Sequence, residues 1–184
     1  IFDSGYSYTY SDMDGRTTIV TKAAELAYQR GVSTFTAAGN EGNNPWGYII
    51  APADGFGTIA VGAVDESGNY AGFSSRGPTS DGRIKPEVVA HGVNTYGAVA
   101  GTKTGYRYAN GTSAATPIAS GVAALLLSAH QHLKNTQIRS ILLETSSNSV
   151  NPNNQIGYGI ISAKDAIEFP NLENVNGQYI LHKT

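Results

Sequence analysis

There is no cysteine in these 184 residues. Its absence excludes disulfides, thiolate metal sites and a thiol nucleophile. It does not fix the compartment, because a chain of this length buries enough core to fold without staples. There is no basic cluster with interleaved aromatics, and the formal net charge is only −2. Neither a nucleic acid nor an anionic membrane therefore has an electrostatic reason to bind. Long apolar runs are also missing: the longest candidate, Ile118 to Ala129, falls short of a bilayer span and contains Ser and Gly. Ile1-Phe2-Asp3 has neither the basic start nor the apolar stretch of a leader. Histidine is scarce and late, with four residues at positions 91, 130, 132 and 182.

Glycine is plentiful, at 22 residues, which suits tight strand-to-helix turns in a single α/β domain. Apolar residues at Val20, Ala23, Ala24 and Ala27, with Thr17 or Thr18 as cap and Gly31 as stop, predict a helix over 16–30. Val32 to Ala38 and Thr58 to Val64 read as buried strands, and Pro86 to Ala90 as a shorter one. A helix followed by a buried strand is half of a βαβ unit and predicts a parallel sheet. Ala98 to Tyr108 predicts a hairpin over Thr102-Lys103-Thr104-Gly105. The helix predicted over 113–130 is apolar on all sides, which places it centrally, and Pro117 near its first turn costs little there. Residues 136–145 predict an amphipathic helix with Ile138, Ile141 and Leu142 inward. The stretch from Pro170 has weak patterning and reads as an irregular tail.

The most informative segment is Gly111-Thr112-Ser113-Ala114-Ala115-Thr116-Pro117-Ile118-Ala119-Ser120-Gly121. It puts a serine at the mouth of a helix, beside unpaired backbone N–H groups and the positive end of the helix dipole. A serine hydroxyl is a poor nucleophile until its position activates it, and this position also favours an oxyanion. The Gly-x-Ser-x-Gly elbow of α/β-hydrolases is absent around Ser113.

This stretch resembles the serine motif of the subtilisin-like proteases, the subtilases. Thr36-Ala37-Ala38-Gly39-Asn40-Glu41-Gly42 is similar to the family's oxyanion segment. Ile59 to Asp65, Phe73 to Pro78 and Ile84 to Ala90 resemble the segments between the two, in the family's order. The likeness covers roughly 18–168, with His91 where the family usually has Pro. It implies part of a subtilisin-like three-layer α/β domain with a mostly parallel sheet flanked by helices. It also implies an acyl-enzyme on Ser113, an oxyanion donor at Asn40, and Ala37, Ala38 and Gly39 along the pocket for the residue before the scissile bond. No cofactor enters that chemistry; calcium is a property the parent could hold and these residues do not show.

A serine peptidase also needs a general base and a group to orient it. Subtilases place both before the oxyanion Asn, yet no His precedes Asn40. His91 falls in a turn, His182 in the tail, and His130 and His132 lie roughly 25 Å along the helix from Ser113; all four read as bland surface or helix-end histidines. Asp3-Ser4-Gly5 imitates the family's aspartate motif but has no histidine motif after it, and Asp12-Met13-Asp14-Gly15 reads as a solvated turn rather than a calcium loop.

The expectation is a serine endopeptidase domain represented over 1–169 by its C-terminal part, without the Asp and His motifs, and a tail over 170–184. The chain by itself is expected to be inactive. Its partners are a peptide or protein substrate and the N-terminal part of its own domain, and its exposed sheet edge predicts self-association. The resemblance implies an extracellular or cell-envelope location. Two alternatives stand beside this reading: a pseudoprotease acting as a binding scaffold, and a serine hydrolase that does not cleave peptides.

Overall fold

The computed structural model describes residues 7–182. Three strands form a parallel sheet in the order β1 (Phe35–Ala37), β2 (Ile59–Val64), β3 (Val88–His91). Phe35 pairs with Ile59 and Val61 with Val88. β2 is central and every residue in it is buried. Side chains alternate across a strand, and β2 shows the result: Ile59, Val61 and Ala63 enter one core while Ala60 enters a second with Met13, Ala38 and Ile49. The first core is closed by Ala115, Ala119, Val122 and Leu126 of α2 (Thr112–Ala129), and Val20 of α1 (Ile19–Gln29) packs on the second. Two apolar faces covered by helices make three layers, as expected.

The other elements are β4 (Thr95–Ala98) and β5 (Tyr106–Ala109), an antiparallel pair, then α3 (Asn135–Glu144), α4 (Ala163–Glu168), and the strands β6 (Asn171–Val175) and β7 (Gln178–His182). Thr18 caps α1, its hydroxyl accepting from the Thr21 N–H at 3.2 Å. The turn before it is held by Asp14, whose carboxylate accepts from the Arg16 and Thr17 N–H groups and the Thr17 hydroxyl, each at 2.8 Å. Asp14 thus closes the turn that leads into α1.

Five expectations need correction. The segment from Pro170 is not irregular: β6 and β7 form a five-pair antiparallel hairpin. Asn176 and Gly177, with φ of 52° and 87°, make its two-residue turn, and Asn-Gly between β-formers is the hairpin signal that the weak apolar pattern obscured. β1 is shorter than predicted and only half-buried, because among the described strands it lies at the sheet's edge. α2 is not buried all round. Its small-residue face lies on the sheet, whereas Ile118, Leu125 and Leu127 are 38–54% exposed. α2 also starts earlier than the apolar run. At 18 residues it is long and apolar enough to cross a membrane by length and composition, although Ala115, Ala119 and Leu126 are instead spent on the sheet. Finally, Pro117 is the sixth residue of α2, not in its first turn, so it withholds the helical donor from the Ser113 carbonyl. Asp3 lies outside the described residues.

Candidate active site

The carboxyl end of a parallel strand and the N-terminus of a helix meet at this site, a usual place for chemistry in open α/β sheets. β1 leads towards Gly39 and Asn40, and β3 is followed by Gly92, whose carbonyl accepts from the Gly111 N–H at 2.8 Å. That bond holds the start of α2 against the sheet. Ser113 is the second residue of α2 and is exposed. Its N–H belongs to the first turn and has no partner within the helix.

The structure brings Ser113 and Asn40 together across Gly111. The point where a Cβ on Gly111 would stand is 3.0 Å from Ser113 Oγ and 3.6 Å from Asn40 Nδ2. Gly111 has φ 150° and ψ 155°, a region in which L side chains are strained. Glycine is therefore needed here twice, for the backbone and for the space.

Asn40 is aimed by Thr112. Its Oδ1 accepts from the Thr112 N–H at 2.9 Å and from the Thr112 hydroxyl at 3.1 Å. The same hydroxyl oxygen accepts from the Gly39 N–H at 3.2 Å. Two donors on Oδ1 fix which end of the amide faces inward, so Nδ2 points outward with its protons free for an acceptor. Thr112 itself is fully buried. The loop carrying Asn40 is held from its other side by Ser75, which donates its N–H to the Gly39 carbonyl at 2.9 Å and accepts the Glu41 N–H on its hydroxyl at 3.0 Å. Thr112 and Ser75 both lie within segments that resemble the family's, and neither shows its role in the sequence. Their partners lie 72 and 34 residues away, beyond what spacing can signal.

Of the predicted pocket residues, Ala37 is half-buried while Ala38 and Gly39 are buried. The Ala38 methyl lies in the second core, and its N–H and carbonyl are already bonded to Val61 and Ile50. This segment can thus offer a rigid wall but no spare backbone group at Ala38.

Among the described residues no histidine is hydrogen-bonded to Ser113. The ring nitrogens Nε2 of His130, His132 and His182 meet the Ile167 carbonyl, Asn171 Oδ1 and Glu173 Oε2 respectively. His91 ends β3. Among the described residues the arrangement thus holds a hydroxyl, an aimed amide and an open helix N-terminus, with no histidine bonded to the hydroxyl.

Known proteins are similar to this chain in sequence and in fold. The sequence profile of the subtilase family matches residues 4–159. Subtilisin DY of Bacillus licheniformis is 37% identical over 155 residues, covering 82% of this chain and 52% of that protein. The thermophilic serine proteinase of Bacillus sp. (strain AK1) is 34% identical over 156 residues, covering 85% of this chain and 36% of its own length. Among solved structures, the self-cleaved protease domain of PatA has a TM-score of 0.65 at 32% identity, covering 79% of this chain and 52% of that one. The prenylagaramide maturation protease PagA has a TM-score of 0.67 at 30% identity, covering 80% and 54%. The chain spans about half the length, or less, of these relatives. With the family profile matched over most of its residues, the chain belongs to the subtilase family.

Proposed function

We propose that this chain supplies the nucleophile and oxyanion hole of a serine endopeptidase, with Ser113 attacking the peptide carbonyl. The observation that carries this reading is the convergence of Ser113 Oγ and the Asn40 amide on the space left by Gly111, with Asn40 Oδ1 taken up by Thr112 so that Nδ2 remains as donor. In the reaction, the Ser113 oxygen bonds to the scissile carbonyl carbon and its proton passes to a general base. The carbonyl oxygen becomes an oxyanion that takes hydrogen bonds from Asn40 Nδ2 and the Ser113 N–H. Collapse of the intermediate breaks the C–N bond, the base returns its proton to the leaving amine, and water then hydrolyses the acyl-enzyme. Ala37, Ala38 and Gly39 wall the pocket for the residue before the scissile bond. No cofactor takes part.

The base and the carboxylate that orients it come from residues other than these 184, in the N-terminal part of the same domain. Residues 1–169 are the C-terminal part of that domain, and 170–182 add the hairpin. By family resemblance the protein works outside the cell or in its envelope.

Labelling with a fluorophosphonate tests the reading. A polypeptide that joins this sequence to an upstream aspartate and histidine motif is expected to be labelled at Ser113, and its Ser113→Ala variant to be unlabelled. The chain alone is expected to react no faster than free serine. No labelling of the joined polypeptide at Ser113 would favour a binding scaffold, and turnover of esters but not peptides would favour a non-proteolytic hydrolase.

A further inference from the structure

The β6–β7 hairpin brings a second chemical cluster together at the far end of α2, roughly 25 Å along the helix from Ser113. His132 lies in the turn after α2, Glu173 on β6 and His182 at the end of β7. One ligand atom from each lies within 4.8 Å of the other two. His182 Nε2 is 2.9 Å and His132 Nδ1 4.0 Å from Glu173 Oε2, and the two imidazoles stack with centroids 4.7 Å apart. We infer that His132, Glu173 and His182 bind one divalent transition-metal ion of the zinc class, which clamps the hairpin to the turn after α2.

The orientation of His132 carries the inference. Its Nε2 lies 2.7 Å from Asn171 Oδ1, and the Asn171 Nδ2 donates to the Phe169 carbonyl at 3.2 Å. That second bond fixes Oδ1 as the end facing His132. An amide oxygen only accepts, so His132 carries a proton on Nε2, and its neutral ring presents the lone pair of Nδ1 towards Glu173. A metal-binding imidazole is usually held in this way, by an outer acceptor that sets its tautomer and angle. Asn171 is itself only 7% exposed. His182 donates from Nε2 to the Glu173 carboxylate in the absence of a metal. Binding through that atom needs the proton to move to Nδ1 by way of solvent, with no net release.

Donor chemistry selects the ion. Two imidazoles and one carboxylate suit Zn²⁺ and its neighbours, whereas Ca²⁺ and Mg²⁺ call for oxygen. Metal–ligand bonds near 2.0–2.1 Å bring tetrahedral ligand atoms to about 3.3 Å from one another, so these side chains need to close by an ångström or so. Glu173 and His182 are each about one-third exposed and free to do this, while the better buried His132 stays fixed. Water fills the fourth position. His130 stands edge-on to both rings but is turned away, its Nε2 lying against the Ile167 carbonyl.

The test is calorimetric titration of chelator-stripped protein with Zn²⁺, with Co²⁺ as a visible-absorption probe. One Zn²⁺ per chain is expected. Asn171→Ala should weaken binding about 10–100-fold, and Asn171→Asp should restore it by returning an acceptor to His132. Glu173→Gln and His182→Gln should weaken it more than Asn171→Ala does, and His91→Gln should leave it unchanged. Should a variant fail to fold, the native chain decides alone: intense Co²⁺ bands of a four-coordinate site support the inference, and the weak spectrum of the aqua ion overturns it. Absence of saturable Zn²⁺ binding, or binding that survives the His132→Gln/His182→Gln double variant, also overturns it.

Discussion

Thr112 carries more of the candidate site than its place in the motif suggests. Its hydroxyl accepts the Gly39 N–H and donates to Asn40 Oδ1, so one buried group both completes the turn after β1 and aims the amide. Thr112→Val removes that group at nearly constant volume and leaves the Gly39 N–H unpaired, which costs about 1–3 kcal/mol in stability. Measured in a polypeptide that supplies the base, it should lower kcat and leave KM nearly unchanged, since the aimed amide acts on the oxyanion and not on bound peptide. Asn40→Ala should lower kcat by about 10²–10³, the size found for such a donor in subtilisin. Gly111→Ala should abolish turnover, because the new methyl would stand 3.0 Å from Ser113 Oγ at a backbone angle alanine resists. Ser113 and Asn40 stand out in the sequence as candidates because their neighbours are constrained in type and order. Thr112 and Ser75 do not, because a hydroxyl shows nothing of a partner that only the fold brings near.

Elements were legible where periodicity and caps coincide. α1 carries Thr18 at its start, and β2 is a pure run of apolar and small residues, so both emerge nearly at their observed bounds. α2 was overestimated as a core helix because composition cannot tell which face finds a partner. The β6–β7 hairpin was missed because its strands mix Glu, Asn and Gln with apolar residues, although Asn176-Gly177 marks the turn. Gly177→Ala, at φ 87°, should destabilise that hairpin by about 1–2 kcal/mol. Amide hydrogen exchange checks this: β6 and β7 should exchange faster while β2 does not change. The turn before α1 supplies a pH dependence. Partial burial pulls the Asp14 carboxyl up, but its hydrogen bonds from Arg16 and Thr17 outweigh that and hold it below its ordinary value of 3.8. A carboxyl lowered on folding stabilises the fold above its unfolded value and loses that contribution as pH falls through the folded one. Asp14→Ala should thus have a lower urea midpoint than the native chain near neutral pH, and the gap should close on the acid side of 3.8.

Across the whole molecule, one buried charge network ties the second core to α3. Lys85 and Glu87 are 1% and 3% exposed, paired at 2.7 Å. Lys85 also donates to the Gly55 carbonyl at 2.6 Å, while Glu87 accepts from the Ala60 N–H and from Arg139. Glu87→Ala strands a buried ammonium and should cost about 3–5 kcal/mol, read as a fall in thermal midpoint. Arg139→Ala, at the partly exposed end, should cost much less. The outward apolar face of α2, with Ile118, Leu125 and Leu127 exposed, predicts self-association of this chain. Size exclusion at two concentrations should show a shift to larger species at the higher one, and a monomer at both would contradict it. The proposed role of this chain, bearing the nucleophile of a serine peptidase, rests finally on Ser113. Its rate of fluorophosphonate labelling is the direct measurement. Rapid, Ser113-dependent labelling is expected only when an upstream aspartate and histidine motif is joined to the chain. Rapid labelling of the chain alone, or none at Ser113 in the joined polypeptide, would contradict it.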